Sequence, residues 1–203
     1  FFMTTINSVP VAIDVIKTSN DLALKYHAIW WLGKNKEQQA VAVLSEVLNE
    51  DNDQTALGGY PLRRQAARSL GMIANPQAIA PLIHSLNSND LRLQEAAILA
   101  LRSINNPVCV PSLIKYLYGT SLSKPMEALI EALAAFEIWE VSEVIRDYLN
   151  DSSKRIQGAA GIYFYRMTRE RKYLATINSN LSDQNAFLRQ SAAFDLAQCH
   201  DAT

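Results

Sequence analysis

Three kinds of side chain in this sequence have the chemistry to hold parts of a ligand. Arginine pairs with carboxylates through two parallel hydrogen bonds, aromatic rings stack on planar groups, and glutamate carboxylates hold protonated nitrogens. The candidate binding residues are His27, Trp31, Tyr60, Arg63, Arg64, Arg92, Glu95 and Glu127. No local motif for a nucleophile accompanies them, so they indicate binding and orientation of a ligand.

Arg63 and Arg64 closely follow the Gly58-Gly59-Tyr60 turn, and their guanidinium groups have the chemistry to pair with carboxylates. A Gly-Gly pair makes a tight turn or brings backbone amides close to a ligand, and the tyrosine ring could cover that ligand. An arginine at this point of a helix equally suits an ion pair with the acidic turn of its own repeat. Both interpretations stay open for the two residues.

Acidic turns also stand close to other candidate arginines. We expect Asp90 to pair with Arg92 and Asp151 to pair with Arg155. Among the glutamates, Glu127 and Glu131 are four residues apart and share one helix face. The glutamates suit either a bound nitrogen or a solvated helix edge.

The adjacent tryptophans cannot both face a helical core, because neighbouring helical residues diverge by about 100°. We expect one to pack and Trp31 to be the exposed one. His27 is three or four residues earlier and within reach of the same face. Its structural alternative is a histidine that only makes a hydrogen bond.

Metal ligands are too scattered to form a site by sequence spacing. The histidines are at 27, 84 and 200, and the cysteines at 109 and 199 are 90 positions apart. We therefore predict neither a zinc site nor a disulfide framework.

Composition limits the function classes. The 203 residues are 49% apolar and 19% charged, with a formal net charge of -1, which disfavours a dedicated nucleic-acid binder. No apolar run of eighteen residues occurs, and the amino terminus lacks the pattern of a secretion signal. The sequence therefore predicts a cytoplasmic protein without membrane insertion.

Internal repeats dominate the chain. Ala-Ala pairs recur at 66, 96, 159 and 192, each inside an Arg- or Leu-containing segment, and each is preceded by an amphipathic apolar stripe. The spacing corresponds to a period of 30 to 33 residues, with one degenerate copy at 125–135. We predict an all-α, HEAT-like α-solenoid: about five helix pairs plus an amino-terminal half repeat at residues 22–33, in one domain over residues 3–203.

The second helices close at Gly33 and Gly71, 38 residues apart, so about seven residues are inserted. Three segments resemble the E subunit of E/F-type phycobilin lyases. They are the Trp30-Trp31 pair, the inserted acidic loop and Gly58-Gly59-Tyr60-Pro61-Leu62-Arg63-Arg64. Lys124-Pro125-Met126-Glu127-Ala128 continues that resemblance, which covers residues 26–195 approximately.

The resemblance implies an enzyme component that helps attach an open-chain tetrapyrrole to a cysteine of a phycobiliprotein, in the cyanobacterial cytoplasm. It implies an F-type partner chain, while the apolar last helix leaves self-association open. The bilin is the substrate, with no separate cofactor. The alternatives are a chaperone or adaptor for phycobiliprotein subunits, in phycoerythrin maturation or phycobilisome turnover, and a generic HEAT scaffold.

The resemblance also suggests roles for the candidate residues. Arg63 and Arg64 would hold the bilin propionates, Tyr60 and Trp31 would stack on the chromophore, and Glu95 and Glu127 would hold pyrrole nitrogens. The Asn-His-Cys-Cys run of lyases that also isomerise the bilin is missing, since Cys199-His200 is a different sequence. We infer no isomerase activity.

Overall fold

The chain folds into paired helices. A computed structural model describes residues 6–50, 53–121 and 123–197, and this part contains helices and turns but no strand. The chain divides into two compact units, Phe1–Pro125 and Met126–Thr203. The single domain over residues 3–203 stays a prediction, and Cys199 and His200 lie outside the described residues.

Twelve α-helices occur in the described residues. The first unit contains α1 (Val9–Thr18), α2 (Leu22–Lys34), α3 (Val41–Asn49), α4 (Pro61–Ile73), α5 (Ile79–Ser85), α6 (Leu91–Ile104) and α7 (Val110–Tyr118). The second unit contains α8 (Met126–Ala135), α9 (Ser142–Arg146), α10 (Lys154–Thr168), α11 (Ala175–Asn180) and α12 (Ala186–Ala197). The predicted all-α repeat architecture is confirmed.

The amino-terminal repeat is a full helix pair, where the sequence pattern predicted only half of one. Helix α1 packs against α2 and buries Ala12, Val15 and Ile16. These positions follow the i, i+3, i+4 spacing of an amphipathic stripe, but the helix has only ten residues. In so short a helix the apolar stripe repeats too few times to be recognised in the sequence.

Side-chain caps place the helix starts. Asp21 accepts from the amides of Ala23 and Leu24 at the start of α2, and Asp90 does the same at the start of α6. Such a cap satisfies amides that have no partner inside the helix. Ser153 caps α10 in the same way.

The first helix of most pairs begins with a short 3₁₀ turn. Asn75 and Asn106 cap two of these turns, at Pro76–Ala78 and Pro107–Cys109. Pro81 and Pro111 fall in the first turn of α5 and α7. A first-turn residue has no intrahelical amide bond to lose, so proline is tolerated there.

In the first unit, α4 packs between α2 and α6 through small residues. A Cβ atom on Gly33 would lie 2.6 Å from Cα of Ser69, and one on Gly71 would lie 2.8 Å from Cα of Ala100. The Ala-Ala pair of α4 is fully buried. Small side chains therefore allow the helices of neighbouring repeats to approach closely.

In the second unit, α10 packs against α8, α11 and α12. Tyr163 is fully buried, and its hydroxyl donates to the carbonyl of Ile138 at 2.7 Å. Ile162, Ile177 and Ala192 form a smaller apolar cluster. Among the described helices, none combines the length and apolar character that crossing a bilayer requires.

Candidate functional site

The second helices of the first three pairs leave one face accessible. Helices α2, α4 and α6 lie side by side, and the α2–α4–α6 face consists of their partly or fully exposed side chains. They include Tyr26, His27, Trp30, Trp31, Lys34, Arg64, Arg68, Met72, Arg92, Glu95 and Leu99. The face combines aromatic rings, apolar side chains and cations, the chemistry that the sequence predicted for the site.

Arg64 forms an ion pair with a buried carboxylate of the next repeat. Its Nε and Nη2 atoms donate to the two oxygens of Asp90 at 2.7 and 2.8 Å. Asp90 is only 5% exposed and also accepts from the amides of Tyr60, Arg92 and Leu93. The predicted pairing of Asp90 with the Arg92 side chain is wrong, because Arg64 occupies this carboxylate.

Burial raises the pKa of Asp90, but hydrogen bonds from the Arg64 guanidinium and from the Tyr60 and Leu93 amides outweigh it and leave the pKa below the ordinary value. The ionised carboxylate therefore stabilises the fold above the unfolded-state pKa, roughly 3.9, and this contribution disappears as the pH falls through the lower folded pKa. We expect the stability difference between wild type and Asp90→Asn to shrink below about pH 4. Urea unfolding across pH measures it, and a difference that grows toward low pH would contradict this sign.

Arg63 lies on another side of α4 and is only 7% exposed. Its guanidinium carbon lies 4.7 Å from the centre of the Tyr60 ring. The two residues thus contact each other, and Arg63 is too buried to offer its guanidinium on the α2–α4–α6 face. Adjacent helical residues diverge by about 100°, so the Arg63-Arg64 pair could not act as one binding group.

The inserted loop is ordered around its two glycines. Gly58 has φ +78°, and its amide donates to the carbonyl of Thr55 at 2.8 Å. A Cβ on Gly59 would lie 2.5 Å from Nη2 of Arg64. Gly58 therefore permits the turn, and Gly59 leaves room for the guanidinium that pairs with Asp90.

Asp53 anchors the same loop and was missed by sequence reasoning. Its Oδ2 accepts from the Leu62 amide at 2.5 Å and the Arg63 amide at 3.4 Å, which caps α4. Burial raises the pKa of Asp53, although these amides and the Arg63 charge oppose the change. The residue is eight positions before the helix it caps, so no local spacing rule indicates it.

Both tryptophans are half-buried, which corrects the expectation that Trp31 would be the exposed one. Trp30 has the ring contacts: its centroid lies 5.3 Å from that of His27, and Nζ of Lys34 lies 4.7 Å from its ring. The predicted shared face of His27 and a tryptophan therefore exists through Trp30.

The remaining candidates of the sequence carry ion pairs of their own. Arg92 donates to Glu95 at 3.0 Å on the surface of α6. In the second unit, Glu127 accepts from Ser153 Oγ at 3.1 Å and lies 3.8 Å from Arg155. The predicted Asp151 partner of Arg155 is wrong, because that arginine binds Glu131.

Arg68 is the cation that sequence reasoning overlooked. It lies one turn after Arg64 on α4, its side chain is exposed, and no described residue pairs with it. The i, i+4 spacing after Arg64 was the available signal.

A groove of about 530 Å³ lies at the loop edge of the first unit, between the turns at 87–89 and 119–121. Buried Gln94 donates to two carbonyls of the turn before α6 and accepts from the Tyr116 hydroxyl at 2.7 Å. Burial raises the pKa of Tyr116 to about 12. None of the predicted site residues lines this groove.

Neither metal nor thiol chemistry is indicated in the described part of the chain. Its histidines, cysteine and acids form no cluster of three that could hold a metal ion. Burial raises the pKa of the Cys109 thiol to about 11. A thiol that stays protonated at neutral pH is a poor nucleophile.

The repeat architecture agrees with family models. Residues 24–50 match the PBS lyase HEAT-like repeat, and residues 60–134 match HEAT repeats. A designed armadillo repeat protein shares the fold, with a TM-score of 0.54 at 15% identity. The chain is therefore a HEAT-repeat α-solenoid protein.

Comparison with individual proteins identifies the family within this class of repeat proteins. The chain is 43% identical to bilin biosynthesis protein PecE of Mastigocladus laminosus, over 93% of this chain and 70% of the relative. It is 38% identical to phycocyanobilin lyase subunit alpha of Nostoc sp., over 88% and 69%. The solved complex of CpcE and CpcF of phycocyanin lyase from Nostoc sp. matches with a TM-score of 0.83 and 36% identity, over 95% of this chain and 77% of that one. This chain belongs to the family of E-type (alpha) phycobilin lyase subunits, as its sequence motifs predicted.

Proposed function

We propose that this chain is the E-type component of a phycobilin lyase: it binds an open-chain tetrapyrrole and promotes its thioether attachment to a cysteine of a phycobiliprotein subunit. The observation that carries the proposal is the match to CpcE in the lyase complex over 95% of the chain. The bilin is the substrate, and no other cofactor is proposed. The proposed compartment is the cyanobacterial cytoplasm, since the relatives come from cyanobacteria.

The chemistry requires no nucleophile from this chain. The acceptor's thiolate forms a carbon-sulfur bond at the ethylidene group of the terminal ring, the electron pair of the double bond moves to the adjacent ring carbon, and that carbon takes up a proton. The buried, protonated Cys109 plays no part in these steps. The chain contributes orientation and shielding of the reactive bilin carbon, which raise the effective concentration of the reacting groups.

The α2–α4–α6 face is the proposed bilin surface. Trp30 and His27 form the stacking contacts, since their rings already lie together at the edge of this face. Trp31, Arg92 and Glu95 remain proposed contacts from the same helices. Arg64 and Tyr60 act at its border by fixing the start of α4.

Glu127 belongs to the second unit, where it lies beside Arg155 and Ser153. Its carboxylate is half-exposed. The role of Glu127 as a bilin contact stays a prediction.

A partner chain is proposed as well, of the F type found with CpcE. The last described helix, α12, exposes Phe187 and Phe194 to 55% and 60%. Two exposed aromatic rings on one helix give a partner chain an apolar surface to contact. If the F-type chain fails to bind, self-association through the same helix is the competing outcome.

Reconstitution tests the function. We expect co-expression of this chain with an F-type partner, an acceptor subunit and a phycobilin supply to give a pigmented band on a zinc-stained denaturing gel. Covalent pigment survives denaturation, so the band reports thioether formation. An acceptor with its bilin-bearing cysteine changed to serine, and omission of each lyase chain, are the controls.

The outcome separates catalysis from chaperoning. A working CpcE and CpcF pair, run in parallel, verifies the acceptor and the bilin supply. Under these conditions, a complex with the acceptor but no covalent pigment would reject the lyase function and leave a chaperone. An acceptor that is pigmented equally without this chain would also reject it.

A further inference from the structure

We propose that Lys34 and Arg68 form the carboxylate-binding pair for the bilin propionates, with Trp30 as the adjoining stacking surface. This inference rests on the proposed function and assigns its substrate to particular residues. It replaces the Arg63-Arg64 pair, which the sequence favoured for this role.

The first observation is that the two cations emerge beside the closest contact of α2 and α4. Gly33 packs directly on Ser69, and the Ser69 hydroxyl donates to the carbonyl of Ile29 at 2.8 Å. Lys34 follows Gly33, and Arg68 precedes Ser69. Because Gly33 and Ser69 are in contact, the backbone positions that carry the two cations are neighbours across the two helices.

The second observation is that both cations are available. Lys34 and Arg68 are exposed, and among the described residues neither has an acidic partner. Arg64 is bound to Asp90 at 2.7 Å, and Arg92 is bound to Glu95 at 3.0 Å. A carboxylate ligand therefore reaches Lys34 and Arg68 without breaking an existing ion pair.

The third observation is the surface beside them. The Lys34 ammonium lies 4.7 Å from the centre of the half-buried Trp30 ring, and Met72 on α4 is 37% exposed. An indole and a thioether suit a conjugated pyrrole plane, while a guanidinium and an ammonium suit its acidic side chains.

The experiment compares phycocyanobilin with its dimethyl ester, which keeps the conjugated plane and loses both negative charges. Binding is measured by the change in bilin absorption on the complex of this chain with its F-type partner. We expect wild type to prefer the free acid over the ester by about fivefold or more, the summed effect of two ion pairs at exposed positions. Arg68→Gln should lose most of this preference, and Lys34→Gln/Arg68→Gln should bind the acid and the ester alike.

Arg171→Gln is the matched control, because it removes an exposed arginine of the second unit and should keep the preference. Circular dichroism checks that each variant keeps its helix content. Wild-type preference for the acid in the double variant would overturn the inference. So would a variant that loses the acceptor subunit in pull-down while its bilin affinity is unchanged, since the pair would then bind protein.

Failure of the proposed function looks different. If the wild-type complex neither binds nor attaches a bilin, the lyase function itself is wrong. If wild type attaches bilin and the double variant does so with unchanged affinity and acid preference, only the assignment to Lys34 and Arg68 is wrong.

Discussion

Asp90→Ala is expected to destabilise the first unit by roughly 3 to 5 kcal/mol, the range for removing one partner of a buried ion pair. Asp90 is 5% exposed and joins two repeats: it caps α6 through the Arg92 and Leu93 amides and binds Arg64 and the Tyr60 amide of the preceding repeat. The substitution leaves all of these donors without their acceptor. Urea unfolding followed by circular dichroism measures the loss.

The Arg64→Ala substitution removes the ion pair with Asp90 but keeps the cap that Asp90 provides for α6. It leaves Asp90 with its three backbone amides, and the Arg64 side chain is 29% exposed, so we expect a smaller loss of about 1 to 2 kcal/mol. In the double variant, the loss of stability should be smaller than the sum of the two single losses, because both substitutions remove the same contact. Strict additivity would show that the Arg64 pair contributes nothing to stability.

Gly33→Ala is the second large effect, with an expected loss of about 3 kcal/mol, the upper part of the usual range for overpacking. The new Cβ would lie 2.5 Å from Ser69 Oγ and 2.6 Å from Ser69 Cα. A backbone atom cannot turn aside as a flexible side chain does, so α2 must move away from α4. The same movement separates Lys34 from Arg68, and bilin affinity should fall with stability.

Gly158→Ala is the matched control in another helix. A Cβ there would meet its nearest neighbour at 3.8 Å, an ordinary contact, so the helix preference for alanine should leave stability equal or raise it by up to about 1 kcal/mol. Adding Ser69→Ala to Gly33→Ala should give little rescue, because the collision with Cα remains. Full rescue would show that the hydroxyl alone was responsible.

Local patterns in the sequence were sufficient for the repeat architecture. The recurring Ala-Ala pairs and the apolar stripes are both signals within a few residues, and the helices form where these signals predicted them. The ten-residue α1 escaped because so short a helix repeats its apolar stripe too few times. The inserted loop before α4 was also visible, since a repeat protein makes any change of period evident.

The tertiary structure decided which charged side chains remain available to a ligand. Arg64 meets Asp90, 26 residues away in the next repeat, and Arg155 meets Glu131, 24 residues away. The sequence predicted partners in the nearest turn, because it shows only neighbours along the chain.

By itself, the sequence determined the helical repeat, its period and the family to which the chain belongs. Only the packing of α2 against α4 and of α4 against α6 decided that Arg63 is buried, that Arg64 is paired and that Arg68 remains available. The physical reason is that helix formation depends on contacts within one or two turns. The availability of a charge depends on whichever side chains the neighbouring helix brings beside it.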